Sequence, residues 1–255
     1  MRYFPGVFND VIGPVMRGPS SSHTAASWRI ATLSMAILRE PLKRAIIDFD
    51  RDGAWAPNYR EQGTVMGMNG GLLQLDITDD RMKNTGSLLK KMGIDISYEV
   101  NSFETNHANT VRLKLEGVHN TKLQIIAVST GGGSFEIQQI NQFKVSIKGD
   151  RYELLLIVKN HNESVIQDIK ETIPNDYVCI IASYNDELLV NIKSQQEIPK
   201  FVIEKLKTQL DIDNVIVLKP ILPVQSLDNP DMPFTDIQSL KNYSISNKKS
   251  KKTSK

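Results

Sequence analysis

Residues 152–194, YELLLIVKNHNESVIQDIKETIPNDYVCIIASYNDELLVNIKS, decide the fold. Tyr152–Lys159 reads as a strand, Glu163–Thr172 as a helix and Tyr177–Ser183 as a strand, each from its apolar period. Leu188–Lys193 follows as a strand after a hairpin turn at Asn185-Asp186. Pro199–Leu210 reads as a helix with its proline where the first turn tolerates one, and Asn214–Leu218 as a last strand. The order β-α-β-β-α-β predicts a ferredoxin-like arrangement, an antiparallel sheet with both helices on one face.

Toward the N-terminus the pattern changes. A short element fits Val7–Ile12, and a helix fits Ala25–Leu38, where Ala26, Ile30, Leu33 and Ile37 make one buried stripe. Ala45–Asp50 reads as a strand. A loop holding Gly53, Trp55, Pro57, Tyr59 and Gln62 leads to a second helix over Thr64–Leu75. Gly67, Gly70 and Gly71 lower helix propensity there, which points to close backbone packing. A third helix is predicted over Asp79–Met92, capped by Thr78 and stopped by Gly93. Strands are expected at Ile94–Val100, Asn109–Leu115, Leu123–Thr130 and Ser134–Ile140, with a second unit beginning near Phe143. The fold class is therefore α+β. Asp228–Pro233 reads as a linker and Ser244–Lys255 as a solvated tail.

Bulk composition excludes several roles. Among 255 residues, 31 Lys and Arg nearly balance 29 Asp and Glu, so the body of the chain gives no reason to expect nucleic-acid or membrane partners. The basic cluster at Asn247–Lys255, five lysines in nine residues, reads as a solvated end. Cys179 is the single cysteine, which rules out an intrachain disulfide and suits a cytoplasmic setting. The same count forbids any cluster or zinc site needing three cysteines from these residues alone. The first 30 residues lack a basic start followed by an apolar run, and no stretch approaches the ~20 apolar residues of a membrane span.

The chemistry concentrates in Gly18-Pro19-Ser20-Ser21-Ser22-His23-Thr24, directly ahead of the first helical stripe. A helix start leaves backbone N–H groups unpaired and carries roughly half a positive charge, so a carboxylate could sit there among the hydroxyls. His23 could donate to that anion or accept from a hydroxyl or ammonium. The plainer alternative is that Ser22 or Thr24 merely caps the helix. Any one of these residues alone favours that alternative; five together reverse it. Gly131-Gly132-Gly133 offers a turn whose N–H groups can hold an anion, or else a bend passed closely by another backbone. Asn106, His107, Asn109 and Thr110 form a third polar group, which an Asx-type turn explains as well. Cys179 reads as a small buried residue, and His119 and His161 as surface loop residues. No HExxH, CxxC, P-loop or nucleophile-elbow pattern occurs.

With Phe49-Asp50, Tyr59, Gln62-Gly63, Asn109-Thr110-Val111-Arg112 and Gly131–Gly133, the Ser-Ser-Ser-His-Thr run resembles the beta part of iron–sulfur-dependent L-serine dehydratases over roughly residues 5–225. The resemblance implies a serine dehydratase beta-type domain over 1–142, with the fold of an allosteric substrate-binding domain. It implies an ACT domain over 148–222, followed by a linker and Lys-rich tail over 223–255. It further implies L-serine bound by Ser20, Ser21, Ser22, His23, Thr24, Asn109, Gly132 and Gly133, and homo-oligomers formed through the ACT-like unit. An alpha part would carry a [4Fe–4S] cluster on three cysteines, its free iron polarising the substrate hydroxyl, and would turn L-serine into pyruvate and ammonia.

Three departures stand out. Glu61-Gln62-Gly63-Thr64-Val65 occupies the place of a Gly-His-Gly-Thr-Asp run, so the acid–base groups of that run are missing. Asn160-His161-Asn162-Glu163-Ser164 stands where an ACT ligand loop carries Pro-Gly, which favours association over effector binding. Met232-Pro233-Phe234-Thr235 looks like the opening of a fused alpha part. A stand-alone amino-acid sensor is the competing expectation.

Overall fold

A computed structural model describes residues 16–159, 163–210, 212, 215–222, 237–239 and 241–242. The expected element at Val7–Ile12, the Asn160–Asn162 segment with His161, and the expected linker and tail lie outside these residues. Pro14–Gln225 forms one compact unit, and everything below concerns it.

A turn of π-helix at Ser21–Ala25 runs into α1 (Ala26–Leu38), followed by β1 (Leu42–Asp50) and α2 (Thr64–Leu72). A 3-10 turn at Asp80–Asn84 leads into α3 (Thr85–Lys91). The strands β2 (Asp95–Asn101), β3 (Thr110–Gly117), β4 (Lys122–Gly131), β5 (Ser134–Ile140) and β6 (Phe143–Ile147) follow. They build a six-stranded sheet in the order β2-β1-β3-β4-β5-β6, in which β1 and β2 are parallel and the other pairs antiparallel. Alternation decides the faces: Val111, Leu113 and Leu115 are buried, whereas Arg112, Lys114 and Glu116 between them are not. The buried face meets Ile30, Leu33 and Ile37 of α1 and Met68 and Leu72 of α2 in one core.

The α1–α2 contact is close because glycines line it. A Cβ on Gly67 would stand 2.1 Å from the Thr24 carbonyl oxygen, and one on Gly71 would stand 2.4 Å from that of Trp28. Helix propensity of about 1 kcal/mol per residue is given up for that approach.

Two expectations are corrected. The third helix is broken, and its cap is Asp79, whose carboxylate accepts from the Arg81 N–H at 2.8 Å and pairs with the Arg81 guanidinium. The Thr78 hydroxyl instead donates to Asp76. Phe143–Ile147 does not begin the second sheet; it pairs with β5 as the edge of the first.

The second sheet comprises β7 (Tyr152–Lys159), β8 (Val178–Tyr184), β9 (Glu187–Ser194) and β10 (Val215–Leu218) in the antiparallel order β10-β7-β9-β8. Helices α4 (Glu163–Thr172) and α5 (Lys200–Leu210) complete the β-α-β-β-α-β order. Ile169 of α4 and Val202 and Leu206 of α5 pack against Leu154, Leu156, Val190 and Ile192, so both helices cover one face. On the other face Leu155, Leu189, Ile216 and Leu218 join the core of the six-stranded sheet. The unbroken apolar run Leu154–Val158 follows from burial on both sides. No helix among the described residues is long and apolar enough to cross a membrane.

Candidate functional site

Arg17 fastens the segment that leads into the site by donating to the carbonyls of Ile77 at 3.0 Å and Asp79 at 2.9 Å. Gly18 then turns the chain at φ +85°, with the Thr24 side chain filling the space a Cβ would need. Ser20 is extended and ends the approach; its carbonyl accepts from the His23 N–H at 3.3 Å and the Thr24 N–H at 2.8 Å. Among the described residues, the N–H groups of Ser21 and Ser22 have no backbone acceptor. They stand at the start of a continuous helical run, where the axial dipole favours an anion.

The side chains close into a chain of polar contacts. Ser20 Oγ lies 2.9 Å and Ser22 Oγ 3.2 Å from His23 Nδ1, and the two hydroxyls are 3.2 Å apart. His23 Nε2 faces Asn58 Oδ1 at 3.0 Å. Ser20, Ser21, Ser22 and His23 are half-buried. Burial lowers the His23 pKa below its ordinary value, and the hydrogen bond to Asn58 opposes that shift without cancelling it. Burial thus favours the neutral ring.

Thr24 differs from its neighbours. It is fully buried, and its hydroxyl donates to the Gln62 carbonyl at 3.0 Å, tying the motif to the start of α2. Behind His23 stands an aromatic group. Trp55 lies 5.8 Å from the imidazole between ring centroids and 5.8 Å from Phe49; Tyr59 lies tilted against Phe49 at 4.8 Å. Trp55 is 1% exposed, yet among the described residues its indole N–H has no hydrogen-bond acceptor. A buried donor left unpaired costs about 1–3 kcal/mol, which a ligand or water acceptor would recover.

Gly132 and Gly133 form the two-residue turn of the β4–β5 hairpin, with φ +57° and +80° as a primed turn demands. The Gly133 carbonyl accepts from Arg29, a buried residue of α1 whose pKa burial pulls down to about 10. That bond links the glycine turn to the helix the motif opens. Asn109 receives the Ser129 N–H on its carbonyl at 3.0 Å, and its own N–H goes to His107 Nδ1 at 3.1 Å. None of these hydrogen bonds of Asn109, Gly132 and Gly133 reaches the Ser20–His23 group. Cys179 is half-buried on β8, where burial pushes its thiol up. His119 is exposed.

Sequence reasoning missed Asn58 and the orphaned indole of Trp55. Nothing local marks Asn58, which sits 35 residues from His23 in an ordinary turn: its N–H bonds the Trp55 carbonyl at 3.2 Å, and its carbonyl takes the Gln62 N–H at 3.0 Å.

Fold and cluster together define an α+β protein with a hydroxyl–imidazole group at a helix start. The chain is 34% identical over 154 residues to the probable L-serine dehydratase beta chain of Bacillus subtilis (strain 168), covering 60% of this chain and 67% of that one. It is 28% identical over 204 residues to the L-serine dehydratase beta chain of Peptoniphilus asaccharolyticus, covering 79% and 90%. No family model matches. The chain belongs to the family of L-serine dehydratase beta chains.

Proposed function

We propose that this chain binds L-serine at Ser20–His23 and acts as the beta part of an L-serine dehydratase, with deamination to pyruvate and ammonia completed by an alpha part. The observation that carries the reading is the pairing of donor-only Ser21 and Ser22 N–H groups with the Ser20–Ser22–His23 side-chain cluster, half-open to solvent. Such a site offers one end to a carboxylate and the other to polar hydrogens. Thr24 shapes the turn from within; Asn109, Gly132 and Gly133 stay in this reading on the resemblance alone, since their hydrogen bonds go elsewhere. The names of the two relatives supply the substrate and, through the word beta, the partner.

These residues do not fit an iron–sulfur cluster. Cys179 is their one cysteine, half-buried in a strand with its thiolate disfavoured. On the resemblance, the [4Fe–4S] cluster would be carried by the alpha part, and the chain without that part is expected to be inactive as a lyase. The division into a substrate-binding-like domain over 1–142, an ACT-like domain over 148–222 and a tail over 223–255 is part of the same reading, as is a cytoplasmic setting. Self-association would use β8, an edge strand with Val178, Ile180 and Tyr184 exposed at 44%, 38% and 49%. Ile180→Lys should then shift the sedimentation coefficient to that of the monomer; an unchanged oligomer removes β8 from the interface.

The test is reconstitution. Mixed with a cluster-loaded alpha chain under exclusion of oxygen, the protein should give serine-dependent pyruvate release. The double variant Ser22→Ala, His23→Ala should lose both turnover and serine binding by calorimetry while melting within a few degrees of wild type. A double variant that still binds serine normally means that the site lies elsewhere.

One observation favours a second reading, a serine sensor without catalysis. Gln62, whose carbonyl is bonded to Thr24, and Val65 put neither an imidazole nor a carboxylate beside the motif. Serine binding without turnover in the reconstituted mixture selects this alternative.

A further inference from the structure

We propose that Asn58 is a positioning residue that fixes the tautomer of His23 and so sets which end of an amino acid the cluster accepts. The inference rests on the reading of Ser20–His23 as a serine site. Asn58 Oδ1 has lone pairs and no proton, so the 3.0 Å contact with Nε2 requires the ring proton to be on Nε2. The neutral ring then carries its lone pair on Nδ1, which lies within reach of Ser20 Oγ at 2.9 Å and Ser22 Oγ at 3.2 Å.

The direction of the remaining hydrogens follows. A hydroxyl has one proton, and the Ser20 proton is spent on Nδ1, which is the shorter of the two contacts. Ser22 donates to Ser20 Oγ at 3.2 Å or shares the ring nitrogen. Ser20 therefore meets a ligand as an acceptor, while the Ser21 and Ser22 N–H groups meet it as donors. Two poles of opposite hydrogen-bond sense, one turn of chain apart, fit a small zwitterion: ammonium at Ser20, carboxylate at the helix start. With the other tautomer Nδ1 would donate to Ser20, freeing the hydroxyl proton and erasing the acceptor pole. Asn58 is built to hold this role, because its backbone is bonded on both sides, to Trp55 and to Gln62.

The decisive experiment reads the ring directly. Long-range 1H–15N NMR of the ligand-free protein at pH 7.5 should show a protonated Nε2 and an unprotonated Nδ1 for His23, assigned by its loss in His23→Gln. Asn58→Leu should abolish or reverse that pattern, and Asn58→Asp, which keeps an acceptor facing the ring, should retain it. By calorimetry, wild type should bind L-serine at least about tenfold more tightly than 3-hydroxypropanoate, which lacks the ammonium, because a hydrogen bond to a charged group is at stake. Asn58→Leu should shrink that preference and Asn58→Asp should keep it. A protonated Nδ1 in wild type, or an unchanged pattern and preference in Asn58→Leu, overturns the proposal. A wild-type protein with the expected ring pattern that ignores L-serine overturns the serine-site reading and the ammonium preference, and leaves the assignment of the tautomer to Asn58 standing.

Discussion

Adding one methyl group to Gly67 tests how the site is held. The new Cβ would meet the Thr24 carbonyl oxygen at 2.1 Å and Ser27 Oγ at 2.3 Å, whereas real Cβ atoms keep at least 3.0 Å. The helices must therefore part by about 1 Å, against a main-chain oxygen that has no rotamer by which to escape. Overpacking of this kind costs about 1–3 kcal/mol, and the rigid partner places Gly67→Ala at the upper end. Alanine returns about 1 kcal/mol of helix propensity, leaving a net loss of about 2 kcal/mol. In a unit of this size that corresponds to a fall of roughly 4–8 °C in Tm. Gly86→Ala is the matched control, since nothing lies within 4 Å of its Cβ; only the propensity gain of up to ~1 kcal/mol remains, so Tm should hold or rise. Gly71→Ala meets the Trp28 carbonyl at 2.4 Å, farther along the same contact, and should destabilise similarly. Gly67→Ala should in addition weaken serine binding, because the carbonyl it displaces belongs to the motif. Thermal melts and urea titrations of the three variants measure the signs. A Gly67→Ala protein as stable as wild type would refute the close-packing argument.

Two further outcomes follow from buried polar groups. The His23 pKa is lowered by burial, so the unfolded chain, with histidine near ~6.5, binds more protons than the folded one just below that pH. The stabilisation is present above ~6.5 and is lost as pH falls toward the depressed folded value; Tm plotted from pH 7 to 5 should fall less steeply in His23→Gln than in wild type, and parallel curves would contradict this. Asp48 is buried on β1 against Arg112 and Asn101, the latter at 3.0 Å. Arg112→Leu strands the carboxylate and should cost about 3 kcal/mol in urea unfolding, while the double variant Asp48→Leu, Arg112→Leu should cost much less; a double variant as destabilised as Arg112→Leu would refute the stranded-charge argument.

What the sequence revealed depended on how many neighbours a residue's role required. Val111, Leu113 and Leu115 alternate because one face is covered, and Leu154–Val158 runs apolar because two faces are; both patterns are written locally. Gly67 and Gly71 announced close packing because no other role suits glycine in mid-helix. The cap of the third helix was misread since Thr78 and Asp79 are both good caps, and the choice was made by Arg81, which pairs with Asp79. Phe143–Ile147 has five residues, too few for their period to say which sheet they extend. The Ser20–His23 cluster was legible because its members are adjacent. Asn58 was not, because its meaning lies wholly in a partner across the fold.

The apolar side of the second sheet, seated in the core of the first, bears on any attempt to divide this chain. A fragment beginning near Tyr152 would carry Leu155, Leu189, Ile216 and Leu218 into water as one contiguous greasy face. The complementary fragment would be left with a matching bare depression. Dissection at that boundary should give two aggregating halves rather than two modules, and rearrangements that shuffle such a unit between proteins must carry a substitute lining with it.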